Sequence, residues 1–521
     1  MMHDTRDKQP GGREPWVVLT GATGLLGSFL LHELLSRDHR VLCIIRAATP
    51  AQARERLATA AAPWRGDIEP DFESGRLAVV RGDLHEPRVG LAPEVIDHLK
   101  GTIATVLHAA GSIAFQQRAD GEPQRTNVDG TRELLRVATA WGCRDWHLVS
   151  TAFVCGHCDS AVEEFHDEPP AFRNAYEQSK WTGEQLARAR AATCGARLTV
   201  HRPGVIVGHS QTGATTGFTG IYYLFRAIGL LAQASAQYGD FDRHHIPLRI
   251  PADAAARPNL MCVDDVAREI VDILETERNG HGVFHITHPK PPSNRIIKRV
   301  LEQCLDVAGG SFIGTGAVVP VAEASTYEQM FTSAMGAVAA YVLESPRFDR
   351  AQTDRLVRRR PAPWNAARLA RLIAFGQKSG WRINHRSAAT DADGDGCAAY
   401  FERFLPEHIA DSRMASLAGL DLDVRYVIEG VADGDWLCRF RGGRLHDVGR
   451  TQGQGAAVTY RIAAPVFWDI VGGQASASEL FLAGHARVEG DIERALKFAN
   501  IVQDFVQEFP FDRQCQQRAD A

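Results

Sequence analysis

The chain has 521 residues, of which 45% are hydrophobic and 23% charged, and its formal net charge at pH 7 is −5. That length exceeds what one hydrophobic core usually serves, so two or three domains are expected. The net negative charge gives no basic footprint for nucleic acid, and no apolar run is long enough to span a bilayer.

Residues 1–14 form a polar stretch without the apolar segment of a signal peptide, and we expect a disordered tail there. Ten cysteines without framework spacing favour a reducing, cytoplasmic location. Cys155 and Cys158 have the form of a redox C-x-x-C, but such a motif should open a helix after a strand. Here the pair runs into polar loop sequence, so we interpret it as two cysteines near a strand end.

Short β-rich runs alternate with helical segments from residue 16 to residue 150. We predict strands in WVVLT, VLCIIR, LAVVRGDL, TVLHAAG and WHLVST, and helices in FLLHELL, AQARERLATAA, PEVIDHL and VDGTRELLRVATAWG. This alternation favours βαβ units and a parallel sheet covered on both faces. HRPGVIVG (201–208) and VFHIT (283–287) are predicted as later strands of the same sheet. The fold class is therefore α/β, a Rossmann-type doubly wound sheet with a small helical substrate region.

The segment GIYYLFRAIGLLAQASAQYG (220–239) is a predicted apolar helix. Buried core is the default interpretation, while a lid over an apolar ligand or a peripheral membrane contact are the alternatives. From 311 to 398 the pattern is helical and less regular. Its basic run, Arg358–Arg360, is either a solvated helix end or a contact for the phosphates of coenzyme A or a carrier protein.

The pattern changes again near residue 399. VRYVIEG, WLCRFRGG and AVTYRIA are predicted strands joined by Gly-rich turns, and an amphipathic helix follows at 492–505 with Asp491 as its N-cap. We therefore predict these domains: a tail at 1–14, a first α/β domain at 15–310, a helical extension and linker at 311–398, a second, α+β domain at 399–512, and a tail at 513–521.

An acidic stretch before the last domain fits the pattern of a calcium-binding loop, D-x-D-x-D-G-x5-E. The matching residues are Asp391, Asp393, Asp395, Gly396 and Glu402. The preceding sequence makes a poor entering helix, and no second loop exists to pair with it. We interpret the stretch as a polar linker and predict no metal site.

Three glycines stand between the first predicted strand and the first helix: Gly21, Gly24 and Gly27. In that setting they permit a tight turn, close approach of the backbone to a pyrophosphate, and close packing of helix on strand. The helix N-terminus then presents free N–H groups to the phosphates. We predict a dinucleotide site.

The second strand ends in Arg46, at the position where an NAD-specific fold usually has an acidic residue. Arg54 and Arg56 follow. A guanidinium suits a 2′-phosphate and cannot accept a hydrogen bond from a ribose hydroxyl. NADP is therefore the predicted cofactor, and an exposed arginine at a strand end is the alternative.

The stretch NAYEQSKWTGEQL (174–186) places Tyr176 and Lys180 four positions apart, on one face of a predicted helix. A nearby ammonium favours phenolate over phenol, so we predict that Lys180 lowers the pKa of Tyr176. That would make the tyrosine a proton donor usable near neutral pH. Because many surface helices have this spacing, an ordinary helix face is the alternative.

In this order, TGATGLLG, RGDL (81–84), LHAAG (107–111), NVDGT (127–131), VSTAFVCG (149–156), YEQSK (176–180) and HRPGVIVG resemble the extended short-chain dehydrogenase/reductase family over residues 15–300. Within it, IIRAATPAQARERL, NAYEQSKWTGEQL, RPGVIVGHSQTGATTGF and NLMCVDDVA are most similar to thioester reductases and fatty acyl reductases. SPRFD (345–349) is similar to a C-terminal element of long-chain acyl reductases.

The resemblance implies a site as well as a fold. Tyr176 would be the acid/base, Lys180 its partner and Thr151 a second hydroxyl, and Asn127 matches a family asparagine that has either a catalytic or a structural role. The implied cofactor-binding residues are Gly21, Thr23, Gly24, Leu25, Leu26, Gly27, Arg46, Arg56, Asp83, Leu84, Ala109, Ala110, Gly111, Pro203 and Val205. The chain departs from the family at Phe153–Cys155, where many relatives have an aromatic residue beside Gly156, so the shape of the nicotinamide pocket is left open.

Residues 400–512 resemble the sterol-carrier-protein-2 (SCP2) family. The matching stretches are DVRYVIEGVADGDWLCRFRGGRL, AAVTYRIAAPVFWDIVGGQAS and LFLAGHARVEGDIERALKF. The resemblance implies an apolar tunnel for fatty acyl or sterol ligands, with candidate lining residues Phe467, Trp468, Leu480, Phe481 and Phe498. For any one of them, ordinary core is the alternative.

The implied activity is NADPH-dependent reduction of long-chain acyl thioesters, on coenzyme A or acyl carrier protein, to aldehyde or alcohol. A hydroxysteroid or other lipid alcohol dehydrogenase is a second hypothesis, against which Arg46 and the thioester-reductase-like motifs weigh. A third is a non-catalytic lipid-binding or transfer protein that senses nucleotide. The presence of Thr151, Tyr176 and Lys180 argues against that third hypothesis.

Overall fold

The computed structural model describes residues 14–118, 120–237, 245–276, 282–320, 323–335, 339–343, 346–381, 394–409, 421–451, 453, 455–473, 477 and 486–511. The chain divides into two compact units. The first contains residues up to 210 together with 259–290 and 346–363, and the second contains 211–258, 291–345 and the residues from 364 onward.

The described strands are β1 (Trp16–Thr20), β2 (Val41–Ile45), β3 (Leu77–Arg81), β4 (Ile103–His108), β5 (Asp145–Val149), β6 (Ser160–Ala161), β7 (Arg197–Pro203), β8 (Val205–Val207), β9 (His245–Ile250), β10 (Leu260–Cys262), β11 (Gly282–Ile286), β12 (Ala308–Phe312), β13 (Arg347–Phe348), β14 (Leu422–Glu429), β15 (Asp435–Arg441), β16 (Arg444–Arg450), β17 (Val458–Ala463) and β18 (Ala486–Gly490).

The described helices are α1 (Leu25–Ser36), α2 (Pro50–Arg65), α3 (Glu69–Glu73), α4 (Pro93–Leu99), α5 (Thr131–Ala140), α6 (Ala175–Cys194), α7 (Ile221–Gln237), α8 (Val263–Thr276), α9 (Asn294–Leu305), α10 (Thr326–Met335), α11 (Ala339–Leu343), α12 (Thr353–Leu356), α13 (Ala366–Lys378), α14 (Gly394–Ala398), α15 (Leu405–Ile409), α16 (Ala464–Val471) and α17 (Ile492–Glu508). Short 3-10 turns lie at Pro87–Gly90 and Ala152–Cys155, and π-helical segments at Arg125–Gly130 and Ala399–Phe404.

The first unit is built on a seven-stranded parallel sheet with the order β11-β7-β5-β4-β1-β2-β3. All five residues of β2 are buried, as expected when helices cover both faces of a parallel sheet. Residues from α1 and α8 pack on one face, and residues from α5 and α6 pack on the other. The predicted doubly wound α/β fold is confirmed. Strand order reverses between β1 and β4, and ligands of such folds bind at that crevice.

The predicted strand at 201–208 is two strands. Pro203 ends β7, where it pairs with Ile286 of β11, whereas β8 pairs with β10 in a separate two-stranded sheet. The break lies at Gly204, where an added Cβ would meet the backbone oxygen of Asn259 at 2.7 Å. The amide of Val205 donates to that same oxygen, so the chain leaves the main sheet to pair with the residues beside β10.

Residues 346–363 are held against the main sheet of the first unit by a buried carboxylate. Glu163 accepts hydrogen bonds from the amide of His285 at 2.9 Å and from the hydroxyl of Thr353 at 2.5 Å. In the basic run, Arg358 is ion-paired with Glu275 at 2.6 Å and Arg360 with Asp354 at 2.7 Å. These arginines are therefore engaged with acidic residues of their own unit.

In the second unit, α7 is part of the core. Ile221, Tyr222, Phe225 and Ile228 are buried, so over the described side chains of this helix the default interpretation of the 220–239 segment is confirmed. The parallel pair β9 and β12 lies nearby, with α9 and α10 in contact with α7.

The C-terminal part of the second unit contains a five-stranded mixed sheet with the order β16-β15-β14-β17-β18. The three predicted strands and the helix are confirmed, and the side chain of Asp491 accepts from the amide of Arg494 at 3.0 Å as the predicted N-cap. β16 was not predicted, because RLHDVGR has little of the apolar alternation that marks a strand.

The described residues of the calcium-loop pattern are helical. Asp391 and Asp393 lie outside the described residues, while Asp395 and Gly396 are inside the helix α14. The π-helical segment that contains Glu402 follows directly. Within the described part of the chain, no group of His, Cys, Asp or Glu side chains is arranged to hold a metal ion.

Candidate active site

The glycine-rich turn after β1 is shaped by close backbone contacts. Gly21 has φ +76°, and a Cβ there would lie 2.7 Å from the amide nitrogen of Ala110. A Cβ on Gly27 would lie 2.0 Å from the carbonyl oxygen of Gly21. The amide of Gly24 donates to that same oxygen at 2.9 Å. Only glycine fits these contacts, and the resulting turn leads into α1, whose first N–H groups suit a pyrophosphate.

A directional hydrogen-bond chain crosses from the turn to the next strand. The amide of Ala110 donates to Thr20 Oγ1 at 3.2 Å, and that hydroxyl lies 2.7 Å from Nδ1 of His108. His108 Nε2 lies 3.0 Å from Thr131 Oγ1, which donates to the carbonyl of Asn127. Burial lowers the pKa of His108 to about 3, so the ring is neutral. The partners then fix the proton on Nε2, with Nδ1 accepting from Thr20.

Asn127 connects these hydrogen bonds to helix α6. Its amide nitrogen donates to the carbonyl of Ser112 at 2.9 Å and to the hydroxyl of Ser179 at 2.8 Å, and its oxygen accepts from the amide of Ser112. Ser179 in turn donates to the carbonyl of Tyr176. The amide nitrogen and oxygen of the Asn127 side chain thus both have partners within the protein.

Several arginines lie near the end of β2, where the sequence predicts contacts to a 2′-phosphate. Arg46 is exposed directly after the strand, and the guanidinium of Arg56 donates to the carbonyl of Arg46. Arg81, at the end of β3, donates to the carbonyl of Ala48 at 2.5 Å. Arg54 is engaged elsewhere, since it is paired with Glu69 and its guanidinium lies over the ring of Phe72.

Asp83 and Leu84, which the family resemblance implies as cofactor-binding residues, lie on the loop after β3. Asp83 is braced by its own loop, because its carboxylate accepts from the amide of His85 at 3.0 Å. Leu84 packs against Gly130, where an added Cβ would come within 2.9 Å of the Cβ of Leu84.

Tyr176 and Lys180 lie on the first turns of α6, which Asn174 caps by accepting from the amide of Glu177 at 3.0 Å. Thr151, a buried residue just past β5, lies beside Tyr176, and its hydroxyl lowers the pKa of that phenol. Lys180 Nζ donates to the carbonyl of Val149 at 3.1 Å, and a Cβ added at Gly111 would lie 2.6 Å from that ammonium. The structure thus brings together the three predicted catalytic side chains and the end of β4.

The predicted effect of the lysine on the tyrosine is wrong for this geometry. Burial raises the pKa of Tyr176 to about 12, against a smaller lowering by the Thr151 hydrogen bond. Burial also lowers the pKa of Lys180 to about 8, despite the raising effect of Glu184. Loss of water around the charged form is the largest cause of both shifts, and neither residue is among the causes of the other's shift. Lys180, and not Tyr176, is therefore the group that titrates near neutral pH.

The two cysteines of the C-x-x-C stretch are close neighbours. Cys155 ends the 3-10 turn and is buried, whereas Cys158 is partly exposed. A hydrogen bond between the two thiols, which favours the thiolate of Cys158, lowers the pKa of Cys158 to about 7 and raises that of Cys155. Both are free cysteines, and the predicted placement near a strand end is confirmed.

A second candidate site is a cavity in the C-terminal part of the second unit. Its volume is about 440 Å³, open solvent included, and its lining is mostly aromatic and aliphatic, contributed by Tyr400, Leu405, Ile409, Tyr426, Phe440, Gly443, Phe498, Ile501, Val502 and Phe505. Of the predicted tunnel residues, Phe498 lines it. Phe467 packs among Tyr400, Phe401 and Trp468 instead, and Leu480 and Phe481 lie outside the described residues.

Two regions of the chain match known protein families. Residues 19–268 match the family described as male sterility protein, and residues 401–503 match the SCP-2 sterol transfer family. The chain joins an extended short-chain dehydrogenase/reductase domain, which binds NAD(P), to an SCP2 domain.

Curated relatives and solved structures agree with the first of these domains. The isonitrile lipopeptide synthase of Streptomyces coeruleorubidus is 36% identical over 218 residues, which are 40% of this chain and 15% of that protein. The terminal R domain from the myxalamid PKS-NRPS biosynthetic pathway superposes with a TM-score of 0.57 at 24% identity, covering 73% of this chain and 94% of that domain.

A thiolation-reductase di-domain from an archaeal non-ribosomal peptide synthetase has a TM-score of 0.54 at 20% identity, covering 71% of this chain and 76% of that one. At these identities the structural matches establish the fold. The chain spans a small fraction of the first curated relatives it matches, between 5% and 27% of their length for the first four.

The reductase-type domain also contains a buried ion pair that the sequence analysis missed. Glu184, one turn beyond Lys180 on α6, forms two hydrogen bonds with the guanidinium of Arg202 on β7, at 3.0 and 2.6 Å, and both side chains are fully buried. The ion pair joins helix α6 to strand β7. The spacing of Tyr176, Lys180 and Glu184 at i, i+4 and i+8 was the available signal.

Proposed function

We propose that the protein is an NADPH-dependent reductase of long-chain acyl thioesters, carried on coenzyme A or an acyl carrier protein, and that it forms an aldehyde or alcohol. The single observation that carries the proposal is the convergence of Thr151, Tyr176 and Lys180 beside Gly111, next to the glycine turn. A phenol, a hydroxyl and an ammonium so placed suit carbonyl reduction.

Several features support the choice of cofactor. The contacts at Gly21 and Gly27 leave no room for side chains where a pyrophosphate would approach. Gly24, Leu25 and Leu26 lead into the helix N-terminus, with Thr23 in the turn itself. Arg46, Arg56 and Arg81 favour a 2′-phosphate over a free ribose hydroxyl. Ala109 and Ala110 follow β4, while Pro203 and Val205 flank the break after β7.

When bound, NADPH supplies a hydride to the carbonyl carbon. Tyr176 and Thr151 donate hydrogen bonds to the oxygen on which negative charge develops, and this stabilisation grows toward the transition state. Tyr176 then gives that oxygen its proton. At neutral pH Lys180 is mostly protonated, and its ammonium favours the phenolate that Tyr176 becomes. The resulting hemithioacetal collapses to an aldehyde and a thiol as its hydroxyl proton passes to the sulfur. Tyr176 regains a proton from solvent, so atoms and charge balance over the cycle.

The thioester class is supported by the names of the relatives, which include reductase domains of peptide synthetases and a thiolation-reductase di-domain. The SCP2 domain supports a long apolar acyl group, since a fused lipid-binding domain raises the local concentration of such substrates. Carrier thiol and lipid together define the substrate proposed for this chain.

The test is NADPH oxidation by the purified full chain with palmitoyl-CoA, with a palmitoylated carrier protein, with a sterol ketone and without substrate. We expect turnover with one or both thioesters and release of free thiol in equal amount. Oxidation with the sterol ketone alone would establish the lipid alcohol dehydrogenase alternative. Nucleotide binding without any oxidation would establish the non-catalytic one.

A further inference from the structure

The C-x-x-C stretch lies directly beside the candidate active site but has no part in the proposed carbonyl reduction. Cys155 is the last residue of the 3-10 turn Ala152–Cys155, and Thr151 is the N-cap of that turn. Cys155 is also where the sequence departs from the extended short-chain dehydrogenase/reductase pattern. A movement of the backbone at Cys155 therefore acts on Thr151 through a single turn.

The two thiols differ in exposure and in acidity. Cys155 is buried, whereas Cys158 is partly exposed. The neighbouring thiol of Cys155 and the guanidinium of Arg173 lower the pKa of Cys158 to about 7, against the raising effects of burial, Asp159 and Glu177. The same contact between the thiols raises the pKa of Cys155. Accessible cysteines that are thiolates near neutral pH are the ones that react with oxidants.

Arg173 supplies the positive charge that a helix N-terminus supplies in other redox C-x-x-C motifs. Its side chain is only 5% exposed and is paired at 3.3 Å with the fully buried carboxylate of Glu177. Its Nη1 also donates to the carbonyl of Gly156, inside the C-x-x-C stretch, at 2.6 Å. The guanidinium is therefore held in a fixed position next to the two cysteines.

The backbone around Cys158 is anchored on both sides. The amide of His157 donates to the carbonyl of Ala171 at 3.0 Å, and the carbonyl of Asp159 accepts from the amide of Arg347 at 2.8 Å. These partners belong to segments distant in the chain. Cys158 is thus the less movable of the two cysteines.

The hydrogen bonds that Thr151 accepts in the turn are longer. The amide of Phe153 donates to its hydroxyl and the amide of Val154 to its carbonyl, both at 3.3 Å. Hydrogen bonds at this length are weaker than those at 2.8–3.0 Å, and 3-10 turns have poorer hydrogen-bond geometry than α-helices. A disulfide bond is about 2.05 Å long, so the sulfurs must approach each other when it forms. The turn at Thr151 is the part of the backbone that then moves.

We propose that Cys155 and Cys158 are a redox-active dithiol, which a hydroperoxide oxidises to a disulfide, and that this disulfide displaces Thr151 and lowers the reductase activity. The loss of activity rests on the proposed function. Formation of the disulfide and displacement of the turn do not.

The oxidation takes two steps. The thiolate of Cys158 attacks one oxygen of the hydroperoxide, so that an S–O bond forms, the O–O bond breaks and the leaving oxygen takes a proton from solvent. The sulfur of Cys155 then attacks the sulfur of the resulting sulfenic acid. The S–S bond forms, and the hydroxyl group leaves with the thiol proton of Cys155 as water. The two thiols lose the electrons that the hydroperoxide gains.

The experiment is treatment of the full chain with hydrogen peroxide, followed by alkylation of the remaining thiols, proteolysis and mass spectrometry. We expect the peptide with Cys155 and Cys158 to escape alkylation as an internal disulfide and to be alkylated again after dithiothreitol. NADPH oxidation with palmitoyl-CoA should fall by about ten- to hundredfold in the oxidised protein, the effect of a small misplacement of a catalytic group, and should return on reduction. Failure of this disulfide to form would overturn the inference, and so would a disulfide that leaves turnover unchanged.

Hydrogen exchange reads the turn without the need for turnover. In the oxidised protein the amides of Phe153 and Val154 should exchange faster, because their hydrogen bonds to Thr151 are lost. Unchanged exchange in a protein that contains the disulfide would refute displacement of Thr151.

Three substitutions assign the effect to this pair. Cys158→Ser should leave turnover of the reduced protein unchanged and should abolish both the disulfide and the reversible loss of activity. Cys155→Ala removes the second thiol, so the sulfenic acid of Cys158 should be trapped by dimedone. Cys304→Ser is the matched control, since Cys304 is also partly exposed but burial raises its pKa, and it should keep the response of the unsubstituted protein. A Cys158→Ser protein that still loses activity reversibly would contradict the assignment.

Failure of the proposed function is a different result. It would be absence of NADPH oxidation by the reduced protein with every thioester. The mass of the peptide with Cys155 and Cys158 and the hydrogen exchange of the turn would still decide whether the disulfide forms and moves Thr151.

Discussion

The site around Tyr176 and the SCP2 cavity around Phe498 are formed by different kinds of contact. Around Tyr176, polar side chains from several strand ends are joined by specific hydrogen bonds, from Thr20 through His108 and Asn127 to the catalytic helix. Around Phe498, the walls are aromatic rings and aliphatic chains. One site depends on the position of single atoms and the other on a volume that stays apolar. Equivalent substitutions should therefore differ sharply between the two regions.

The largest difference is expected for loss of a phenol oxygen. Tyr176→Phe should lower kcat by about 10²–10⁴-fold, because it removes the proton donor. Tyr460→Phe removes a buried hydroxyl that donates to Ala495 in the SCP2 domain, and should cost about 1 kcal/mol of stability with turnover unchanged. Steady-state kinetics and denaturant unfolding measure the two effects. A Tyr176→Phe protein with full turnover would refute the catalytic assignment.

Ion pairs provide the second comparison. Arg202→Met leaves Glu184 buried without its partner and should lower the free energy of unfolding by about 3–5 kcal/mol. Arg461→Met breaks a more exposed pair with Glu489 in the SCP2 domain and should cost less than about 1 kcal/mol. Urea unfolding followed by intrinsic fluorescence compares them. Equal losses would mean that the Glu184 and Arg202 pair is not the anchor described here.

Glycine substitutions should separate the regions in the same direction. Gly27→Ala places a Cβ 2.0 Å from the carbonyl oxygen of Gly21, and should weaken NADPH binding about five- to 150-fold, since forced overpacking costs about 1–3 kcal/mol. Gly449→Ala in the SCP2 domain meets no atom within 4 Å and should be silent. Calorimetric titration with NADPH measures both. If a folded Gly27→Ala protein binds NADPH as tightly as the unsubstituted protein, the glycine-rich turn after β1 is not the pyrophosphate site.

A smaller and more selective effect is expected at the 2′-phosphate. Arg46→Ala should raise the Kd for NADPH by about ten- to hundredfold, the worth of hydrogen bonds to a charged group. The Kd for NADH should change little. The measure is the ratio of the two constants, which cancels general effects on the turn. If the Kd values for NADPH and NADH change by the same factor, residues other than Arg46 determine any preference for NADPH.

The pH dependence of kcat/KM should reflect the burial of Lys180. Because the pKa of Lys180 is lowered to about 8, its ammonium is present below that pH and is lost above it. kcat/KM should therefore fall above about pH 8, while Tyr176, with its pKa raised to about 12, stays protonated. Lys180→Arg keeps the charge and should extend the plateau to higher pH in whatever activity it retains. If the pH profile of the Lys180→Arg protein is unchanged, deprotonation of Lys180 does not cause the fall of kcat/KM at high pH.

Much of the first domain was predictable from residue spacing. The strands around Gly21 and Ala109 and the helix with Tyr176 and Lys180 follow from patterns within one element or across one turn, and so does the N-cap at Asp491 in the SCP2 domain. Local geometry fixes such patterns, since residues four apart on a helix share a face wherever the helix lies. The predicted pKa of Tyr176 was wrong because burial is not a property of spacing.

The amino-acid sequence by itself determined the parallel sheet, the glycine turn and the order of the reactive side chains. Only the tertiary structure decided that Arg202 would pair with Glu184, and that Phe467 would be core while Phe498 lines a cavity. The reason is physical. Apolar side chains look alike whether they face a void or fill one, and that difference depends on which distant segments pack against them.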